Sequence, residues 1–330
     1  MILRDWREAD PGLLRACYEA EWRSWREDLG WDSAWTWATV EQARVGGRLP
    51  GLIAVDRDGR VQGWTFSVLE GDTLHVGGLV AGSPALTTRL LDAIVDAPTP
   101  GSRACFVRDR APGLGEALVE RGFDVERFLY LSRPLSSPDP SAPVVSGFSR
   151  THAAAAAALL QSAYSPDASR HFAPHGTRGE WERYVASLVQ QGGCGLLDEE
   201  ASGLVCDEHG LQALALVTAI APETAHLAQL AVRPDCRGRR LATDLLRHAM
   251  QRAARAGKTA MTLLVGEHND PARALYAALG FTGRGTFIAA RRGPASRSWN
   301  RASRRAAGGV EALTAGPRSR LADLSDPGRP

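Results

Sequence analysis

The chain has 330 residues, 44% of them hydrophobic, and a formal net charge of +2. That length suits two domains with ample cores, and the balanced charge argues against nucleic acid or a membrane surface as a partner. Five scattered cysteines (Cys17, Cys105, Cys194, Cys206 and Cys236) have no CxxC spacing, which speaks against a disulfide framework or a zinc site and for a reducing cytoplasm; no other metal-ligand spacing stands out. The N-terminal MILRDWREAD lacks the apolar core of a signal peptide, and no run reaches the length of a membrane span.

Residues 1–135 read as a mixed α/β unit. A strand at Met1–Trp6 is followed by helical spacing over Pro11–Trp25 and Ser33–Val45. Gly51–Val55 and Val61–Leu69 form a hairpin across the Asp56-Arg57-Asp58-Gly59 turn. Strand Leu74–Val80, helix Pro84–Val95, strand Ala104–Val107, helix Leu114–Arg121 and strand Phe128–Leu131 complete it. Seven of the nine tryptophans lie here: Trp6, Trp22, Trp25, Trp31, Trp35, Trp37 and Trp64. They suit core and interface packing, or an aromatic-lined ligand pocket, with Trp31, Trp35 and Trp37 in the segment between the first two helices.

Residues 136–143, SSPDPSAP, read as a linker, and residues 144–292 repeat the order of elements. Strand Val144–Phe148 leads to an alanine-rich helix, Thr151–Tyr164, capped by Thr151. Helix Glu180–Gln190 and strand candidates Gly195–Leu197, Gly203–Cys206 and Leu211–Ile220 follow, and Phe287–Ala290 reads as the closing strand. ALVERGF ends at Phe123 and LYAALGF at Phe281, an offset of 281 − 123 = 158; LTTRLLDAIV from Leu86 parallels LATDLLRHAM from Leu241, an offset of 155. Residues 293–330 are rich in Arg, Ser, Gly, Ala and Pro and read as a disordered tail.

The chemistry concentrates between His226 and Phe281. An apolar strand, Leu227–Val232, enters the basic turn Arg237-Gly238-Arg239-Arg240-Leu241-Ala242, where a helix begins that Gly257 ends. Free amides at a helix N-terminus, with a glycine that admits close approach, make an anion site. A second strand, Met261–Val265, precedes a helix with Pro271 in its first turn.

This stretch resembles the core of the GNAT superfamily, the GCN5-related N-acetyltransferases. The family's Q/R-x-x-G-x-G/A turn matches at Arg237 and Ala242, with Arg240 where the family has glycine. The downstream pattern N-x-x-A-x-x-L-Y-x-x-x-G-F is met by Asn269, Ala272, Leu275, Tyr276, Gly280 and Phe281. The resemblance implies two tandem GNAT-like domains, each a mixed central sheet flanked by helices. It also implies acetyl-CoA as co-substrate, with its pyrophosphate on the turn, and direct acetyl transfer to a primary amine. Binding would fall to Leu230, Ala231, Val232, Arg237, Gly238, Arg239, Arg240, Leu241, Ala242, Asn269 and Ala272. Tyr276 would be the acid for the leaving sulfur, its alternative being a half-buried core tyrosine.

The usual carboxylate of the strand before the turn is absent, the positions reading Ala228 and Gln229. His226 is a candidate base, and strand alternation places it on the face of Ala228 and Leu230; a surface histidine is the alternative. Glu223, Asp198-Glu199-Glu200, Glu267, His268 or a relaying water are further candidates, and Cys236 needs no role. The first copy has Leu118 and Ala111 opposite Tyr276 and Asn269, and Ala81-Gly82-Ser83-Pro84 in place of the arginine turn. One acetyl-CoA per chain follows, with the first copy packing on the second or building part of its acceptor pocket. The acceptor would be a small-molecule or peptide amine, and the assembly a monomer or homodimer. A non-catalytic acyl-CoA sensor is the rival reading.

Overall fold

The structure is a computed structural model and describes residues 1–96, 101–135, 145–190 and 194–293. The expected linker and the tail from residue 294 lie outside the described residues.

In the first copy, β1 (Ile2–Asp5) leads to α1 (Pro11–Leu29) and α2 (Trp37–Val45). Next come β2 (Gly51–Val55), β3 (Val61–Glu70), β4 (Thr73–Ala81), α3 (Pro84–Val95), β5 (Ser102–Arg108), α4 (Leu114–Glu120) and β6 (Asp124–Pro134). The second copy runs β7 (Ser146–Gly147), α5 (Ala153–Ala163), α6 (Pro166–Ser169), α7 (Arg178–Val189), β8 (Leu196–Leu197), β9 (Gly203–Asp207) and β10 (Gly210–Ala221). It ends with β11 (Thr224–Val232), α8 (Leu241–Arg255), β12 (Ala260–Gly266), α9 (Asp270–Ala278) and β13 (Thr282–Arg292). Helix α1 starts where Asp10 accepts from the Leu13 amide and Pro11 needs no donor, and it runs past Trp25 until Gly30 takes a left-handed φ of 68°. The cap expected of Thr151 belongs to Ser149. Its side chain and that of His152 form a capping box around a short 3-10 turn, Arg150–His152, and α5 begins only at Ala153.

All thirteen strands of the described residues join one mixed sheet, in the order β1-β2-β3-β4-β5-β13-β6-β12-β11-β10-β9-β7, with β8 on β10. The two closing strands are exchanged. The last strand of the chain, β13, pairs with β5 of the first copy, while β6 of the first copy pairs with β12 of the second; β6 and β13 pair with each other. Each copy therefore completes its sheet with a strand of the other.

Strand alternation carries the exchange into the cores. Ile288 and Ala290 of β13 join the core beneath α3 and α4 of the first copy. Leu131 of β6 joins the core beneath α8 and α9 of the second. On the opposite face Phe128, Tyr130, Phe287 and Ala289 meet Leu29 and Trp31 of the first copy and α5 and α7 of the second in one shared core. Tyr130 fastens it by donating its hydroxyl to the Leu29 carbonyl at 2.9 Å.

Phe287 is buried between Trp25, Phe106 and Tyr130. Truncating it to alanine should cost about 3–5 kcal/mol. Because its core is common to both copies, Phe287→Ala should lower one shared urea transition. Tryptophan fluorescence, which reports mainly the first copy, and far-ultraviolet dichroism should move together; separated transitions would show that the copies unfold independently.

Candidate active site

Strands β11 and β12 are parallel, and their pairing ends at Leu227 and Leu263 although both strands continue, which opens a cleft between them. In β11 the register with β10 jumps, Val217 facing Leu227 and Leu216 facing Gln229, so Ala228 is the extra residue of a β-bulge. The bulge breaks the alternation. His226 packs against Trp31 and Tyr130, whose core also holds Ala228, whereas Leu230 lies in the core under α8 and α9. The expectation that His226 shares a face with both residues is thus corrected for Leu230.

Beyond β11 the chain makes a 3-10 turn at Pro234–Cys236 and enters α8 through Gly238 (φ 78°) and Arg240 (φ 64°, ψ 7°). Arg240 is the one non-glycine residue with positive φ among the described residues. It occupies the family's glycine position and adopts the backbone that glycine would take there. A Cβ on Gly238 would meet nothing within 4 Å, so its positive φ, rather than crowding, is what glycine eases there. The turn lines a cavity of about 350 Å³ with Val232, Cys236, Arg237, Gly238, Arg240, Leu241, Ala242 and Pro271 on its wall. The first amides of α8 and the positive end of its dipole favour an anion at this place. Arg237 donates to the Ala163 carbonyl at the end of α5, at 2.8 Å, while Arg239 lies off the cavity wall and reaches the Asp235 carbonyl at 3.4 Å. Cys236 is buried and accepts from the Arg233 guanidinium at 3.3 Å.

Asn269 caps α9, its side-chain oxygen accepting from the Ala272 amide at 3.3 Å. Ala272 and Tyr276 are fully buried in the core under α8 and α9, with Leu230, Val232 and Phe281. Two polar atoms there have no hydrogen-bond partner, Asn269 Nδ2 and the Tyr276 hydroxyl. A buried group left unsatisfied costs about 1–3 kcal/mol. Burial also raises the Tyr276 phenol well above its ordinary range, so the hydroxyl keeps its proton.

His226 is fully buried, not at the surface. Its Nδ1 bonds the Thr262 hydroxyl at 2.8 Å, and its Nε2 has no partner. Burial lowers its pKa from 6.5 to about 3. Gln229, where the family carries a carboxylate, accepts from the Tyr164 hydroxyl at 2.7 Å and donates to that of Tyr184. Of the other candidates, Glu223 pairs with Arg26, Glu199 with Arg150 and Glu200 with Arg252. No group of three metal-ligating side chains occurs among the described residues, nor does a helix long and apolar enough to cross a membrane.

Residues 160–281 match the family model described as the acetyltransferase (GNAT) family. This segment is a GNAT domain. No curated protein matches the sequence. The chain is similar in fold to a GCN5-related N-acetyltransferase from Sphaerobacter thermophilus, at 18% identity and a TM-score of 0.61, over 89% of this chain and 96% of that one. At that coverage the likeness takes in both copies. A GNAT-family acetyltransferase from Colwellia psychrerythraea follows at 12% identity and a TM-score of 0.51, over 88% and 99% of the two chains. A glucosamine N-acetyltransferase region of a fungal multi-domain β-N-acetylglucosaminidase aligns at 15% and 0.52, over 88% of this chain and 38% of that one. The GNAT domain supports acyl transfer as the general activity.

A larger cavity of about 450 Å³ lies in the first copy, lined by Trp25, Trp31 and Trp64 among others. An aromatic-lined pocket is one of the two readings that the sequence allows for these tryptophans, but its place in the strand cleft was not foreseen. Its signal was the Gly77-Gly78 pair inside a strand, since glycine there marks a bulge or a close approach. Gly77 is the bulge residue of β4. Of the tryptophans between the first two helices, Trp31 lines this cavity, while Trp37 packs on Tyr18.

Two consequences are measurable. An unfolded chain binds a proton at His226 from about pH 6.5 downward, and the folded chain does so only near pH 3. Between those values the unfolded state holds more protons, so acidification destabilises the fold by roughly 1.4 kcal/mol per pH unit. His226→Leu should remove about 2 kcal/mol of the stability lost between pH 7 and pH 5, read from urea midpoints; an unchanged slope would mean that the imidazole does not contribute. Arg240→Gly should relieve a left-handed strain of about 1 kcal/mol. A rise in Tm of a few degrees is expected, and a fall would show that the Arg240 side chain stabilises the turn.

Proposed function

We propose that the chain is an acetyl-CoA-dependent N-acetyltransferase acting on a primary amine, with its chemistry in the second copy. The observation that carries this reading is the pairing, within one domain, of an anion-shaped turn with two buried polar atoms lacking protein partners, Tyr276 Oη and Asn269 Nδ2. These residues fit acetyl-CoA. When bound it supplies an acyl group activated as a thioester, and a pyrophosphate as a handle. The acceptor is a small-molecule or peptide amine, the setting cytoplasmic, and neither nucleic acid nor membrane is involved.

The α8 amides and the Arg237 and Arg240 side chains hold the pyrophosphate, and Arg239 adds positive charge nearby. The edge of β11 beyond Leu227, where pairing with β12 stops, offers backbone N–H groups to the pantetheine arm and to the thioester carbonyl. Such donors act where negative charge develops and need little reorganisation. Tyr276, still protonated at neutral pH, is the donor for the departing sulfur. As the amine nitrogen bonds to the carbonyl carbon, the carbon–sulfur bond breaks and the sulfur takes the Tyr276 proton. The nitrogen gives up its own proton through water, which restores the phenol. Gln229 is no base, and His226, with its depressed pKa, is a weak one, so the nitrogen's proton travels through water and not through a side-chain base.

The same two residues favour one rival, a non-catalytic acyl-CoA sensor. Release of CoA with any member of an amine panel decides for the enzyme; binding of acetyl-CoA without turnover decides for the sensor.

Tyr276→Phe keeps the ring and removes the donor. Turnover should fall by about 10²–10⁴-fold with acetyl-CoA affinity nearly unchanged. Gly238→Asp, which sets a carboxylate against the pyrophosphate, should instead weaken acetyl-CoA binding by calorimetry. Wild-type turnover in Tyr276→Phe, with chemistry rate-limiting, would assign the proton to water.

A further inference from the structure

We infer that the 450 Å³ cavity of the first copy is the acceptor pocket, and that it takes a primary amine carried on a flat aromatic body. This rests on the acetyltransferase reading above.

The cavity occupies the cleft of the first copy. Strands β4 and β5 pair in parallel only as far as Val76 and Cys105, and Gly77–Ala81 and Phe106–Arg108 then line its two sides. That cleft is the counterpart of the one between β11 and β12, yet it has no anion site at its end. Ser83 spends its hydroxyl on the Leu86 amide, and Pro84, at the first helical turn, has no N–H to offer. A CoA pyrophosphate would meet fewer free amides and no arginine turn there, so the space is available to another molecule.

The cavity also extends into the second copy. Leu264 of β12 lines it. Leu264 directly follows Leu263, the last residue of β12 paired with β11. One end of the cavity thus lies where the catalytic cleft begins to open, and Trp31 on its wall touches His226 of the neighbouring strand. A molecule seated in the first copy can present its end to the second.

The lining states the chemistry. Five rings face the space, Trp25, Trp31, Trp64, Phe106 and Phe287, and they suit a flat apolar body. Glu21 is the one carboxylate on the wall. The Trp25 indole N–H donates to it at 2.7 Å, and it forms no ion pair among the described residues. Arg108 is tied to Asp28 and Ser24, and Arg110 also bonds Ser24. A carboxylate among aromatic rings attracts an organic ammonium ion, which then loses its proton before it attacks. The rings leave fewer partners for the hydroxyls of a sugar amine or the amides of a peptide than such groups need.

The test uses the full chain with phenethylamine and tryptamine as probes, and glucosamine and a short peptide as comparators. Binding is followed by calorimetry and acetylation by CoA release. Two variants on α1 probe the wall. Cys17→Trp fills the cavity from a half-buried lining position, and Glu21→Gln removes the charge while keeping the shape. The aryl amines should be the better substrates. Their KM should rise at least tenfold in both variants, with acetyl-CoA affinity unchanged within twofold as the control for folding. Turnover of glucosamine or the peptide in preference to the aryl amines overturns the inference, as does an aryl-amine KM that neither variant moves. Either result leaves the acetyltransferase reading standing. Absence of acetyl-CoA binding to the wild-type chain sinks that reading and this one together.

Discussion

The hydrogen-bonded ladder between β6 and β13 is the constraint on which the rest of the molecule depends. It runs from Ser132 opposite Thr282 to Asp124 opposite Arg291, and each strand turns its other edge to the opposite copy. An open sheet edge leaves amides and carbonyls without partners. Here the edge that each copy would expose is covered by the other's last strand. The aromatic side chains of this ladder then fix the shared core, with Phe128, Tyr130 and Phe287 reaching α1 on one side and α5 and α7 on the other. Alternation along both strands leaves little freedom, because a slip of one residue would turn Phe287 and Tyr130 to the wrong face.

The two copies share an architecture and differ in chemistry. Both have parallel strands that part beyond a short paired stretch, and both carry a bulge in the strand before the cleft, at Gly77 and at Ala228. Where the second copy buries Tyr276 with an unsatisfied hydroxyl, the first buries Leu118, which asks for no partner. The first arrangement costs the fold stability and the second does not. A fold tolerates that cost where a ligand is to be bound, which agrees with the proposal that places the chemistry in the second copy. The first copy keeps the cleft, lined with rings in place of phosphate donors.

What could be read from the sequence was what depends on neighbours in the chain. The order of elements, the turn at Arg237–Ala242 and the helix start at Pro271 are local, set by helix entry and by apolar periodicity. The strand exchange was not legible. Phe128–Leu131 and Phe287–Ala290 look alike as closing strands, and nothing in either segment says which sheet it closes. The facing of Leu230 relative to His226 was misread because one extra residue at Ala228 shifts everything after it. The partners of Gln229 stand 65 and 45 residues away in the chain, and only folding brings Tyr164 and Tyr184 to it.

The exchange also sets the order in which the protein can be made. Arg108 of β5 faces Phe287 of β13, so 287 − 108 = 179 residues separate partners in adjacent strands. During synthesis the first copy emerges with a central position of its sheet vacant, and that place is filled only when the last strand leaves the ribosome. Long-range pairings of this kind must pay for loop closure before they are rewarded, which slows folding. Until then the nascent chain presents β5 and β6 with open edges, and a neighbouring copy of the same chain could supply the missing strand. The feature that locks the finished molecule together is thus the one that exposes its unfinished form to pairing with a second chain.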